Sequence, residues 1–150
     1  MNILYLPLEI FNEILKYLTT KEICKLLLIS KSFQKNFLSN KIKLDLNFSK
    51  TNIHYEYFKY FNCIHTINLN YCYRIIDKGL SFLKNVSSIN LKKCDKITDK
   101  GLSFLKNVSI IDLISCIGIT DKGLSFLKNV SIIDLTSCIG ITDKGFSYSY

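Results

Sequence analysis

The sequence predicts an α/β chain in two parts: a three-helix module, then a short solenoid with parallel strands on its concave side and short helices or 3-10 turns on its convex side. Three observations predict it. The string DKGLSFLKNV recurs unchanged from Asp77, Asp99 and Asp121, and DKGFS begins at Asp143, so a strict period of 22 residues governs the later half. A period of this size marks stacked units that bury their apolar faces only against their neighbours. Within a unit, apolar residues first alternate at spacing two, as Ile89 and Leu91 do, and then recur at helical spacing, as Leu102 and Leu105 do. The first forty residues follow a different rule, with apolar positions three and four apart.

The elements follow in order. Pro7 suits the first turn of a helix, where its missing N–H costs nothing, and Ile10, Ile14, Leu15 and Leu18 form an apolar stripe beyond it. Thr19 and Glu22 match a capping box, which starts a second helix near Lys21 carrying Ile23, Leu26 and Leu27. A third short helix after Ser30 presents Phe33 and Phe37. Residues 1–40 are thus one helical module, and residues 41–150 are the repeats, the last unit incomplete. Residues 41–62 make an imperfect first repeat: Leu44 and Leu46 precede Ile67 and Leu69 by 23 residues, so the register is expected to slip by one. Its aromatics, Tyr55, Tyr57, Phe58, Tyr60 and Phe61, fill the convex segment in a packing role.

In the regular units, Asp99 is placed to cap or open the convex helix, where its carboxylate meets free backbone donors and the positive end of the helix dipole. Gly101 directly behind it weakens that helix, so a single turn is expected. Cys72, Cys94, Cys116 and Cys138 share one repeat position, where a small apolar thiol suits a buried column beside backbone groups. No C-x-x-C and no Cys/His pair at zinc spacing occurs, so neither a metal nor a cofactor is expected. Cys24 lies in an apolar run and reads as core, and Cys63 begins the first well-formed strand unit.

The strand positions that face away from the leucines change from unit to unit while the convex string is copied. They are the candidate face for a target protein: Asn68 and Asn70, then Asn90 and Lys92. Asp112 and Ile114 continue it, and Asp134 and Thr136 end it. Amides and a lysine give way to aspartates beside exposed isoleucines, a mixture suited to a protein or peptide and poorly suited to a polyanion.

Two resemblances rest on these residues. The runs CDKITDKGLSFL from Cys94, CIGITDKGLSFL from Cys116 and CIGITDKGFS from Cys138 resemble the cysteine-containing subclass of leucine-rich repeats, over residues 64 to 150. The opening LPLEIFNEILKYL followed by KEICKLLLISKSFQKNF resembles the F-box, over residues 4 to 40. The F-box resemblance implies docking to a Skp1-like adaptor in a cullin complex, through Leu6 and Pro7 and then Ile10, Ile14 and Leu18. Together the two imply the substrate-recognition adaptor of an SCF-type (Skp1–cullin–F-box) ubiquitin ligase, a non-catalytic subunit whose repeats bind an unknown target protein. The alternatives are a leucine-rich-repeat interaction scaffold whose helices only cap the solenoid, and a basic nucleic-acid binder.

Charge argues against the last of these. The net charge of +8 divides evenly, with 8 Lys against 4 acids in residues 1–50, so no basic arm is concentrated anywhere. Lysine supplies 19 of the 20 cationic side chains, although arginine is the usual residue for bidentate recognition of bases and phosphates. Catalysis finds little support: His54 and His65 are the only imidazoles, and no G-x-S-x-G or phosphate-cradling glycine loop occurs. No apolar run approaches a membrane span, and the start lacks the basic region and cleavage site of a secretory signal, so the cytoplasm or nucleus is the expected compartment. The last unit carries no recognisable polar cap, which leaves truncation and end-to-end association as open expectations.

Overall fold

The computed structural model describes residues 18–29, 44–60 and 64–146. Its first described element is helix α1 (Thr20–Ile29), which starts at the expected capping box. The Glu22 carboxylate accepts from Thr19 N at 2.8 Å and from Thr19 Oγ1 at 2.7 Å, while Glu22 N donates back to Thr19 Oγ1 at 3.3 Å. Ile23 is buried in the main core, with Leu18, Cys24 and Leu26 packed against it. The expected helix from Pro7, the short helix with Phe33 and Phe37, and also Phe61 and Cys63 lie outside the described residues.

Strands β1 (Leu44–Asn47), β2 (Ile64–Asn68), β3 (Ser88–Asn90), β4 (Ile110–Asp112) and β5 (Ile132–Asp134) form one parallel sheet in chain order. From β2 onward the partners are 22 residues apart, as in Thr66 with Ser88, Ser88 with Ile110 and Ile110 with Ile132. The sequence period is therefore the sheet register. Each strand returns through a convex segment: a 3-10 helix η1 (Tyr55–Tyr60), then single helical turns α2 (Asp77–Leu80), α3 (Asp99–Leu102), α4 (Asp121–Leu124) and α5 (Asp143–Phe146). Phe58 is fully buried, with Tyr55 and Tyr57 packed on the core, as the packing role of these aromatics required.

The first repeat corrects one expectation. Leu46 pairs with Ile67 and Asn47 with Asn68, an offset of 21 rather than 23, with an irregularity between Leu44 and Asp45. Phe48 is buried in the place that Leu69 holds one repeat later, and this sets the register. The bulge absorbs the mismatch upstream.

Each strand ends in the same turn. Lys50, Tyr71, Lys93, Ser115 and Ser137 all take left-handed backbone, with φ between 55 and 61. Such a conformation costs a non-glycine residue about 1–2 kcal/mol. The inter-strand ladder offsets it by continuing through the turn: Tyr71 N donates to Lys92 O at 2.9 Å, Lys93 N to Ile114 O at 2.9 Å and Ser115 N to Thr136 O at 2.9 Å.

The copied string builds the seams between units. Thr98, not Asp99, caps α3, accepting from Lys100 N at 3.3 Å; Asp99 is the first-turn residue. Its carboxylate reaches across to the next unit, accepting from Thr120 N at 2.8 Å and Thr120 Oγ1 at 2.6 Å. Asp77 holds Thr98 in the same way, and Asp121 holds Thr142. The glycine of each DKG after the first lies where that carboxylate passes: a Cβ on Gly101 would stand 2.5 Å from Asp77 Oδ1, and one on Gly123 would press on Asp99 Oδ1, while Gly79 instead meets Tyr55 Cβ. These glycines are required by close approach, since no glycine here has a positive φ.

Asn107 donates to Lys84 O at 3.0 Å and Asn129 to Lys106 O at 2.7 Å, while the Ser109 and Ser131 hydroxyls donate to Ser87 O and Ser109 O. Below them Leu102 and Leu105 are buried completely. Burying such a side chain stabilises by about 1.5–3 kcal/mol, against a net of about 0.5–1.5 kcal/mol for a typical hydrogen bond. The leucines set how stable the stack is. The polar ladder sets its spacing.

Candidate recognition groove

The concave face of the sheet forms an open groove of about 520 Å³. Its walls are two columns of side chains on either side of the buried column Leu46, Ile67, Ile89 and Ile111. One column runs Asp45, Thr66, Ser88, Ile110 and Ile132; the other runs Asn47, Asn68, Asn90, Asp112 and Asp134. Alternation along each strand produces this arrangement, because residues two apart share a face.

The second column has a structural duty. Asn68 Oδ1 accepts from Asn70 N at 3.0 Å, Asn90 Oδ1 from Lys92 N at 3.0 Å, Asp112 Oδ1 from Ile114 N at 3.0 Å and Asp134 Oδ1 from Thr136 N at 2.9 Å. These bonds open the left-handed turns, which is why only Asn or Asp stands at that position. Neighbouring units are also cross-linked, with Asn90 Nδ2 donating to Asp112 Oδ2 at 2.8 Å and Thr66 Oγ1 donating to the Asp45 carboxylate. Hydrogen bonds from the Thr136 side chain and backbone hold the Asp134 carboxyl below the usual aspartate range, with a smaller pull from Lys92.

The structure thus brings four of the expected face residues, Asn68, Asn90, Asp112 and Asp134, together on the groove wall. Asn70, Lys92, Ile114 and Thr136 stand two residues further on, beyond the strand ends in the turns, and do not line it. Asp45, Asn47 and Thr66 do line it. Asp45 and Asn47 were hidden by the slipped register of the first repeat; the signal that finds them is Asn47 itself, which accepts from Ser49 N at 3.0 Å as its later counterparts do. Of the residues expected to meet a Skp1-like adaptor, Leu6, Pro7, Ile10 and Ile14 lie outside the described residues, and Leu18 is half-buried against the core.

The cysteines form a column within the stack. Each thiol donates to a carbonyl of the preceding unit, Cys72 to Phe48 O at 3.0 Å, Cys94 to Leu69 O at 3.1 Å, Cys116 to Leu91 O at 3.1 Å and Cys138 to Leu113 O at 2.9 Å. Burial pushes Cys116 up to about 12, raises Cys94 further, and lifts the half-buried Cys24 on α1 to about 11. Thiols so far from ionisation are poor nucleophiles at neutral pH. Among the described residues no group of three His, Cys, Asp or Glu side chains could hold a metal ion. His65 is exposed and bonded to Ser87, whose hydroxyl lies 2.8 Å from its Nδ1, as part of the serine ladder. No described helix is long and apolar enough to cross a membrane.

Comparison with known proteins fits both parts. A family model described as the F-box domain matches residues 3–45. Among solved structures, the chain is similar to TLR13, a leucine-rich-repeat protein, in its crystal structure with ssRNA13, at 22% identity and a TM-score of 0.56. That match covers 86% of this chain and 18% of the other, so it shows the repeat fold alone, and this chain spans under a fifth of its length. No curated protein matches the chain. Residues 3–45 thus match the F-box domain, and the strands and convex turns that follow have the leucine-rich-repeat fold, an arrangement consistent with an F-box/leucine-rich-repeat architecture.

Proposed function

We propose that this chain is the substrate-recognition adaptor of an SCF-type ubiquitin ligase. Residues 1–40 dock to a Skp1-like adaptor on the cullin complex, and residues 41–150 hold a target protein on the strand face. The observation that carries this reading is the junction of an F-box match with a solenoid whose concave side is an open groove. Such a subunit performs no chemistry. It raises the local concentration of the target beside the transferring enzyme, an effect that needs two separate binding surfaces and no catalytic group. The cytoplasm or nucleus, where cullin complexes work, is the corresponding compartment.

A second reading, a repeat scaffold whose helices only cap the solenoid, is favoured by one contact. Asn47 N donates to Thr20 Oγ1 at 3.3 Å, and Ile23 is buried against the repeats, so α1 does cover the first unit. The two readings separate at Leu6 and Pro7. Leu6→Ala with Pro7→Ala abolishes co-purification with a Skp1-like adaptor while the protein stays soluble and melts as the parent does. No co-purification with the parent chain favours the cap, and undiminished co-purification of the variant counts against docking through Leu6 and Pro7.

A further inference from the structure

The whole molecule carries a net charge of +8, with 20 cationic side chains against 12 acidic ones. Its groove reverses that balance. Among the described residues, every charged one lining it is an aspartate, Asp45, Asp112 and Asp134. Lys92 stands at the rim beyond the strand end. Beside the aspartates, Ile110 and Ile132 are 42% and 60% exposed on adjacent strands, in the column next to Asp112 and Asp134. An anionic wall set directly against bare aliphatic side chains, on a cationic protein, is complementary to one kind of occupant.

We propose that the groove receives an extended segment in which lysine or arginine alternates with aliphatic residues, its cations on Asp112 and Asp134 and its apolar side chains on Ile110 and Ile132. This rests on reading the strand face as the target side, and it names the chemistry of the segment the target presents. Five strands about 4.8 Å apart span roughly 19 Å, the reach of about six extended residues. A volume of about 520 Å³ takes the side chains of such a segment but not a helix some 10 Å across over that length. Nucleic acid is repelled by the same aspartates.

The test uses the full chain and two fluorescein-labelled hexapeptides, one alternating lysine with valine and one alternating glutamate with valine, followed by fluorescence anisotropy. The lysine peptide binds, more weakly as salt rises, and the glutamate peptide does not. Asp112→Asn with Asp134→Asn weakens the lysine peptide by about tenfold or more, the scale expected for lost close ion pairs. That pair keeps the fold, because Asn68 and Asn90 already hold the same turn position with the same hydrogen bond. Asp95→Asn with Asp143→Asn, on exposed aspartates away from the groove, leaves affinity unchanged. Equal binding of the two peptides, an unaffected groove pair, or an equal loss in the Asp95 and Asp143 pair overturns the proposal. Adaptor co-purification reads the other end of the chain, so a chain that fails to bind Skp1 still gives this test its answer.

Discussion

Two surfaces of one solenoid obey different rules. On the seams, copied polar residues are committed to neighbouring units: Asp99 to Thr120, Asn107 to Lys84 O, Ser109 to Ser87 O, Cys94 to Leu69 O. On the groove wall, one column keeps only the Asn-or-Asp identity its turn needs, and the other runs from Asp45 through Thr66 and Ser88 to Ile110 and Ile132 with no shared chemistry. Identity along a repeat protein therefore reports stacking. Variation on a face held to no more than a turn requirement reports freedom to recognise something else.

That contrast can be broken by substitutions on the seam. The largest effect is expected from Leu102→Ala, which empties a fully buried site between units and lowers unfolding stability by about 2–5 kcal/mol in denaturant titration. Gly123→Ala comes next, at about 1–3 kcal/mol, because its Cβ displaces the Asp99 carboxylate and frees Thr120. Its cost should not add to that of Asp99→Ala, since both remove one bridge; full additivity would mean that the bridge contributes nothing. The smallest effect is acid sensitivity. Hydrogen bonds from the Thr142 side chain and backbone lower the Asp121 carboxyl from its ordinary value. Its contribution is fully present above an unfolded pKa of about 3.9 and is lost as pH falls through the lower folded value. Melting temperature should therefore hold from pH 7 to pH 5 and decline only below about pH 4, with a shallower decline in Asp121→Asn.

Much of this was legible in the sequence, and what was not has a common cause. The 22-residue period gave the sheet register directly, and Thr19 with Glu22 gave the start of α1, because period and capping are local rules. The role of Asp99 was only half visible. A first-turn aspartate reads as a partner for its own helix, whereas its hydrogen bonds go to a threonine 21 residues later. Gly101 was half visible in the same way: the single turn expected from it is there, but the close approach that requires glycine is to the Asp77 carboxylate of the preceding unit. The groove wall was half legible, since alternation finds Asn90 and Asp112 but carries Lys92 and Ile114 past the point where the strand has ended. A three-residue strand is too short for alternation to mark its own end.

The central claim, that seams hold the fold while the groove is free to bind, is tested most directly by the thermal melts of two variants measured against the parent chain. Asp112→Asn with Asp134→Asn should melt closer to the parent than Gly123→Ala does, because asparagine fills the same turn position in two other units and only the Asn90–Asp112 hydrogen bond is lost. Gly123→Ala should melt several degrees lower, the shift expected for a loss of about 1–3 kcal/mol in a chain of this size. A groove pair that melts as low as Gly123→Ala would contradict the account, since the varied face would then be holding the fold as the copied one does.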